Sequence, residues 1–314
     1  MTAGSKRVVI AAIIGNGAIM VLKLIVALVS HSSAMLAETF HSLADTGNQA
    51  LLLLGFTLSA RPPDEKHPFG YGKERYFWAF VVAMGIFTVG ATFSIYEGII
   101  RIVRESHPIR NVYLPFVVLG FAFIFEFFPW KMAVKQFWGM REGRSVIQTF
   151  KDSRDPALIT VLLEDSAALI GVIIASLGIG LTILTGSPVY DGIASIAIGV
   201  ILTMVAFFLA LESRDLLIGE SASRWDRAKI RKILHSFPEV ERVLDLLSMH
   251  IGPDEVLLNM NLEFRDGMTT TQIEKLIDDI ERAIMEQLPR VKRIFIEADT
   301  PSQPTAQKKK VGIG

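Results

Sequence analysis

The stretch AMLAETFHSLADTGNQALLLLGFTLS, residues 34–59, decides the fold. It is long enough to cross a bilayer, which takes about 20 mostly apolar residues, yet it carries Glu38, His41 and Asp45. On a helix advancing about 100° per residue these three fall within about 60° of one another, one stripe over two turns. An Asp at the centre of a spanning helix costs about 2.5 to 3.5 kcal/mol on insertion scales, so such residues tend to be paired or kept for a function. His41 and Asp45, four residues apart, can converge on one ion; the competing reading is a polar cluster that satisfies itself and holds helices together. For Glu38 that second reading has a ready partner in Lys23, inside the preceding apolar segment.

Working outward, 51% of the 314 residues are hydrophobic and 20% charged, and the mean hydropathy is +0.41. That balance is too apolar for a soluble enzyme of this length and indicates an α-helical polytopic membrane protein. Six segments qualify as transmembrane helices: 8–30, 34–59, 75–102, 111–135, 157–185 and 190–212. The first is read as a retained span, because its apolar run is longer than a signal peptide's and no clean cleavage pattern follows. Arg61, Lys66, Lys73 and Arg75 crowd one connection and Lys131, Lys135, Arg141, Arg144, Lys151 and Arg154 another, whereas HSS (31–33) and TGSPVYDG (185–192) carry no basic residue but a histidine. The positive-inside rule then places both termini in the cytoplasm. Arg101, Arg104 and Arg110 run against it, outvoted by the two richer loops.

The chain divides into a six-helix transmembrane domain, 1–215, a cytoplasmic domain, 216–300, and a basic tail, 301–314, expected to be disordered. From about residue 220 onward helical and strand periodicity alternate in the order αββαβ, which suits a small α+β, ferredoxin-like sheet with helices on one face. Equal numbers of acidic and basic residues, 32 each, give no sign of a nucleic-acid partner.

The fifth span supplies a second polar patch in TVLLEDSAALIGVII, where Glu164 and Asp165 are the only charged residues between Asp155 and Asp191. They either complete a site with the second span or line a helix interface in protonated form. With no cysteine in the chain, any metal site is built from nitrogen and oxygen. One imidazole with carboxylates suits tetrahedral Zn²⁺ and, with added ligands, Fe²⁺, Mn²⁺ or Co²⁺.

On HSLAD (His41, Asp45), on the acidic fifth span, and on PPDEKHPFGYGKER with Asp64, His67, Gly70, Gly72 and Lys73, the sequence resembles the cation diffusion facilitator family of divalent-metal exporters. The likeness covers nearly the whole chain. Glu164 beside Asp165, with Asn48-Gln49 after HSLAD, is more similar to the branch containing the mitochondrial zinc transporter. The resemblance implies a metallochaperone-like cytoplasmic domain, a homodimer, and third and sixth helices standing apart from the ion-carrying bundle. The family's ligand four residues before the final Asp is replaced here by Val161. Glu164 and Asp165 bracket that vacant face at about −60° and +40°, so the implied site is His41, Asp45, Asp165 and Glu164, with Glu38 as the alternative fourth ligand. A peripheral loop site is reduced to Asp64 and His67, since Tyr71 stands where a third ligand is expected. A binuclear site of the cytoplasmic domain aligns with Leu244, Asn261 and Glu297, leaving Asp299 and His250, a poor ligand set; His235 reads as an ordinary histidine. Asp64, His67, Glu297 and Asp299 are then ordinary structural or solvated residues.

These readings imply a secondary transporter, not an enzyme, exporting Zn²⁺ in exchange for protons. Three ionised carboxylates around a neutral imidazole are unfavourable at low dielectric; protons relieve the charge when the site is empty and a divalent cation replaces them when it is full. The bilayer is the host, a bacterial-type inner or plasma membrane the expected location, and no organic cofactor is called for. Export of Fe²⁺, Mn²⁺ or Co²⁺, or a non-transporting metal sensor or scaffold, are the alternatives. A membrane metallohydrolase is disfavoured because no span contains HExxH. Two local expectations complete the reading: Glu97 and Arg101 pair along the third span, and the small residues of GIASIAIG (192–199) let the sixth helix pack closely.

Overall fold

The computed structural model describes residues 3–104, 113–139, 145, 146, 149 and 156–300. The expected tail at 301–314 and most of the basic connection between the fourth and fifth apolar segments lie outside these residues. The chain forms two compact units, Met1–Leu217 and Ile218–Gly314.

The first unit is helical: α1 (Ala3–Ser30), α2 (Ser33–Ser59), α3 (Glu74–Val103), α4 (Tyr113–Gly139), α5 (Pro156–Thr185) and α6 (Val189–Ile218). Among the described residues α3, α4, α5 and α6 are long and apolar enough to cross a membrane. Helix α2 is as long, at 27 residues, but its polar stripe dilutes the apolar run. In α1 the apolar stretch from Asn16 to Ser30 is the part so described. The α1–α2 turn is tight. His31 adopts a left-handed φ of 57°, and the Ser32 hydroxyl accepts from the Met35 amide at 3.1 Å, capping α2.

Helix α3 contains a π-helical segment, Ile86–Ala91, and the Thr92 hydroxyl donates to the Phe87 carbonyl five residues back. Gly85 faces α2, where a Cβ would sit 3.5 Å from Asn48 Oδ1, and Gly90 lies between α6 and α2, a Cβ there falling 3.2 Å from Leu202 Cδ1 and 3.8 Å from the Ala44 methyl. Helices α3 and α6 meet backbone to backbone. A Cβ on Gly98 would lie 2.6 Å from the Gly192 carbonyl, and one on Gly199 2.9 Å from the Ala91 carbonyl, which is the close packing expected of GIASIAIG.

The second unit runs α7 (Arg224–Leu234), β1 (Val240–Gly252), β2 (Glu255–Phe264), α8 (Thr270–Gln287) and β3 (Val291–Ala298), the order expected from periodicity. The sheet order is β1-β2-β3, antiparallel then parallel. Alternation on β2 sends Val256, Leu258, Met260 and Leu262 into a core closed by Ile230 and Leu234 of α7 and Ile280 and Ile284 of α8. A reciprocal capping box between Thr269 and Gln272 starts α8.

Candidate metal centre

The polar stripe of α2 is buried in full: Glu38, His41, Ser42, Asp45 and Asn48 all lie inside the helical unit, as do Glu164 and Asp165 of α5. The two helices are tied directly, because Asn48 Nδ2 donates to Glu164 Oε1 at 2.6 Å. Asp45 Oδ2 accepts from Asn16 Nδ2 of α1 at 3.4 Å and from Gln49 Nε2, one turn along α2, at 3.3 Å. Asp165 Oδ2 is buried without a hydrogen-bond partner. Both Glu164 and Asp165 interact electrostatically with Asp45.

Glu38 is directed elsewhere. Its Oε2 lies 3.1 Å from Lys23 Nζ, both side chains are fully buried, and the ammonium also donates to Ser42 Oγ at 2.7 Å. The α1–α2 ion pair foreseen from the sequence is therefore formed. The other oxygen, Oε1, has no hydrogen-bond partner and sits against Gly171 of α5, where any Cβ would collide with it.

Two amides, Asn16 and Gln49, thus share one oxygen of Asp45, and a third, Asn48, bonds one of Glu164. Among the described residues no three His, Cys, Asp or Glu side chains are close enough to hold a metal ion as they stand. Asp45 and Glu164 accept from these neutral donors, whereas Asp165 keeps an unpartnered oxygen.

An acid of α4 escaped the sequence reading. Glu126, the lone acid of α4, interacts electrostatically with Glu38, Asp45, Glu164 and Asp165. Its level in the bundle is set independently: Trp130, one turn on, donates from Nε1 to Ser166 Oγ at 2.9 Å, beside Asp165. Pro129 within the same helix removes the bond that would end on the Phe125 carbonyl. A mid-span acid was the available signal, since FIFEFFPW has no nearby base until Lys131.

The mouth of the bundle at the α1–α2 turn is locked by Asp191, in the first turn of α6 and fully buried. Its carboxylate accepts from Ser32 Oγ at 2.5 Å, from the Ser33 amide at 2.6 Å and hydroxyl at 3.0 Å, and from the Ala34 amide at 3.3 Å. Arg101 Nε of α3 lies 3.3 Å away, an ion pair between helices that the within-helix spacing to Glu97 did not suggest. The Asp191 amide donates to Thr182 Oγ1 of α5 at 3.0 Å.

The peripheral candidates are differently placed. Asp64 spends both oxygens locally, Oδ2 accepting from the Tyr71 hydroxyl and Oδ1 from the His67 amide, each at 2.6 Å. The His67 and Tyr71 rings pack at 4.3 Å. The Tyr71 hydroxyl, with the His67 amide and imidazole, holds the Asp64 carboxyl below its ordinary range; the same bond to Asp64 pushes the Tyr71 phenol up. In the second unit Asn261 and Glu297 are register neighbours. His250 pairs with Val256, five residues or roughly 17 Å along the strand from that row. Leu244 and Asp299 bring no second imidazole to it.

Buried carboxylates with one imidazole, carried by helices of membrane-crossing length, define a membrane protein that handles cations. Residues 9–218 match the cation efflux transmembrane domain and residues 223–300 the cation efflux protein cytoplasmic domain. The chain belongs to the cation efflux, or cation diffusion facilitator, family, whose members are transporters rather than enzymes. It is 35% identical to the mitochondrial proton-coupled zinc antiporter SLC30A9 of Xenopus laevis over 285 residues, 90% of this chain and 51% of that protein. The human protein of the same name is 32% identical over 285 residues, 90% of this chain and 50% of the relative. Metal tolerance protein C4 of Arabidopsis thaliana is 31% identical over 340 residues, 95% of this chain and 74% of the relative. The chain spans about half the length of the zinc antiporters it matches.

Proposed function

We propose that this protein exports a divalent cation, Zn²⁺ foremost, in exchange for protons, and that the ion is held by His41 and Asp45 of α2 with Asp165 and Glu164 of α5. The observation that carries the reading is the buried meeting of α2 and α5, with Asn48 bonded to Glu164 and Asp165 left with an orphaned oxygen in range of Asp45. In a low-dielectric interior such an oxygen is a cost that a cation or a proton removes. The names of the relatives, zinc antiporters and a metal tolerance protein, support the ion and the coupling.

Glu164 is the better fourth ligand. It is one residue from Asp165 and bonded to the α2 stripe, whereas Glu38 is committed to Lys23. Neutral amides bond Asp45 and Glu164 when the site is empty, and the ion displaces them along with whatever protons the carboxyl groups carry.

The six helices act as six spans, with both termini on the cytoplasmic side and domain limits of 1–215, 216–300 and 301–314. The second unit is a ferredoxin-like, metallochaperone-like domain that pairs two copies into a homodimer, consistent with its match to the family's cytoplasmic domain. The Asp64–His67–Tyr71 cluster is a loop brace, and Leu244, Asn261 and Glu297 of the cytoplasmic unit do not form a binuclear metal site.

Calorimetric titration of the purified protein with Zn²⁺ in two buffers of different ionisation enthalpy reads both binding and protons released. One zinc bound with net proton release, lost in Asp165→Ala, is expected. Zinc binding unaffected by that change rules the site out, and equal affinity of Glu164→Gln and the native protein rules out Glu164 as a ligand. Competition with Mn²⁺, Fe²⁺ and Co²⁺ ranks the ions.

A further inference from the structure

The site described above leaves Lys23 unexplained. It is the one Lys, Arg, Asp or Glu between Arg7 and Glu38, and its side chain is wholly buried. It stands seven residues from the end of α1 at Ser30, about 10 Å along the axis, too deep for the ammonium to reach water along its own helix.

A lysine buried only to join two helices would leave its partner satisfied, since a half-paired buried ion pair is worse than apolar packing. Here the pair is half-paired by construction. Lys23 Nζ takes Glu38 Oε2 and Ser42 Oγ, while Glu38 Oε1 has no hydrogen-bond partner and occupies space that only a glycine at position 171 leaves open. Gly171 is seven residues from Glu164, so both lie within about 20° on the same face of α5. The ammonium's reach extends further: it interacts electrostatically with His41 and Asp45 of α2 and with Glu126 of α4.

We propose that Lys23 is the tethered counter-cation of the transport site. Moored to Glu38 and Ser42, one turn from His41 and Asp45, it supplies a positive charge to an otherwise anionic pocket. It takes over part of the neutralisation that protons would otherwise provide when the site is empty. When a divalent cation binds, the ammonium opposes it, which holds affinity low enough for release. Glu38 is then a mooring for Lys23 and not a ligand. The inference rests on the proposed function, because it assigns a role relative to that ion.

Three substitutions separate charge from shape. Lys23→Met removes charge and hydrogen bonds, Lys23→Gln removes charge and keeps a donor for Glu38 and Ser42, and Lys23→Arg keeps charge in a different shape. Zinc affinity is measured in detergent, and zinc release in proteoliposomes. A unit charge this near a buried site is worth on the order of tenfold in affinity. Lys23→Met and Lys23→Gln should both bind Zn²⁺ at least about tenfold more tightly and release it more slowly, with Lys23→Arg near the native protein. Adding Glu38→Gln to Lys23→Met should leave zinc binding intact.

Ranking by hydrogen bonding, with Gln native-like and Met impaired, overturns the proposal in favour of a helix brace. So do unchanged affinities in all three variants, or loss of zinc binding in the double variant, which makes Glu38 a ligand. If Lys23→Met does not fold, the Gln and Arg variants still oppose charge to hydrogen bonding. A native protein that binds no divalent cation overturns the proposed function and this inference together, whereas a native protein that binds zinc beside unaltered variants overturns this inference alone.

Discussion

Asp191 offers the sharpest test of how the bundle is held. Its carboxylate takes the first amides of α2 and both serine hydroxyls of the α1–α2 turn, and faces Arg101 of α3. Replacing it by Ala strands the Ser33 and Ala34 amides and takes the buried carboxylate away from the Arg101 guanidinium at once. Removing one partner of a buried pair costs about 3 to 5 kcal/mol. At about 2 to 4 °C per kcal/mol for a unit of this size, the helical unit should lose roughly 6 to 20 °C. Asp191→Asn keeps an acceptor for the Ser32 hydroxyl and the Ala34 amide but presents NH₂ to the Ser33 amide, so it should lose less, about 1.5 to 3 kcal/mol for the charged hydrogen bonds. The assay is thermal unfolding in detergent, followed by tryptophan emission and by retention on size exclusion. A shift under about 2 °C for Asp191→Ala refutes the ledger, since that corresponds to less than about 1 kcal/mol.

Three further outcomes are expected. Glu126→Gln removes a carboxyl group that interacts electrostatically with Asp45, Glu164 and Asp165 and should weaken binding of a divalent cation on the order of tenfold; an unchanged titration would separate Glu126 from the site. Asn48→Ala frees Glu164 from its 2.6 Å bond and should change zinc affinity roughly 10- to 100-fold in the manner of lost outer-shell partners, with Zn²⁺ and Mn²⁺ affected unequally; native binding of both ions would show the bond to be incidental. In the loop, the bond from Tyr71 holds Asp64 below its ordinary value. The folded-state carboxylate is thus favoured: the stabilisation is present above Asp64's ordinary value and is lost as the pH falls through its lower folded value. Tyr71→Phe should move the Asp64 titration up, read by carboxyl ¹³C resonances of Asp-labelled protein, and identical titrations in both proteins would deny the bond.

What the sequence revealed follows from the range of each signal. Local periodicity exposes the αββαβ order of the second unit, because each strand and helix there carries its own apolar repeat. The polar stripe of α2 is legible for the same reason: spacing along one helix places Glu38, His41 and Asp45 on one face. Asp191 was not legible. As a first-turn acid beside a turn it looks solvated, and its partners stand 158 and 159 positions away in sequence. Glu126 gave the signal of any mid-span acid, but FIFEFFPW has no polar periodicity to suggest company. The three amides at Asn16, Asn48 and Gln49 carry no charge and so no insertion cost of the size that draws attention to an Asp. Only tertiary packing shows that they hold the site's carboxylates. Arg101 followed the opposite course, since an i,i+4 acid on its own helix drew the reading away from the α6 partner.

The central claim is that one buried site exchanges a divalent cation for protons. Proteoliposomes loaded with a zinc-sensitive dye, given an imposed pH gradient and reconstituted with the native protein, His41→Ala or Asp165→Ala, test it directly. Zinc flux that follows the pH gradient in the native protein and disappears in both variants is the expected result. Flux that persists undiminished in His41→Ala and Asp165→Ala, or that ignores the gradient, contradicts the account.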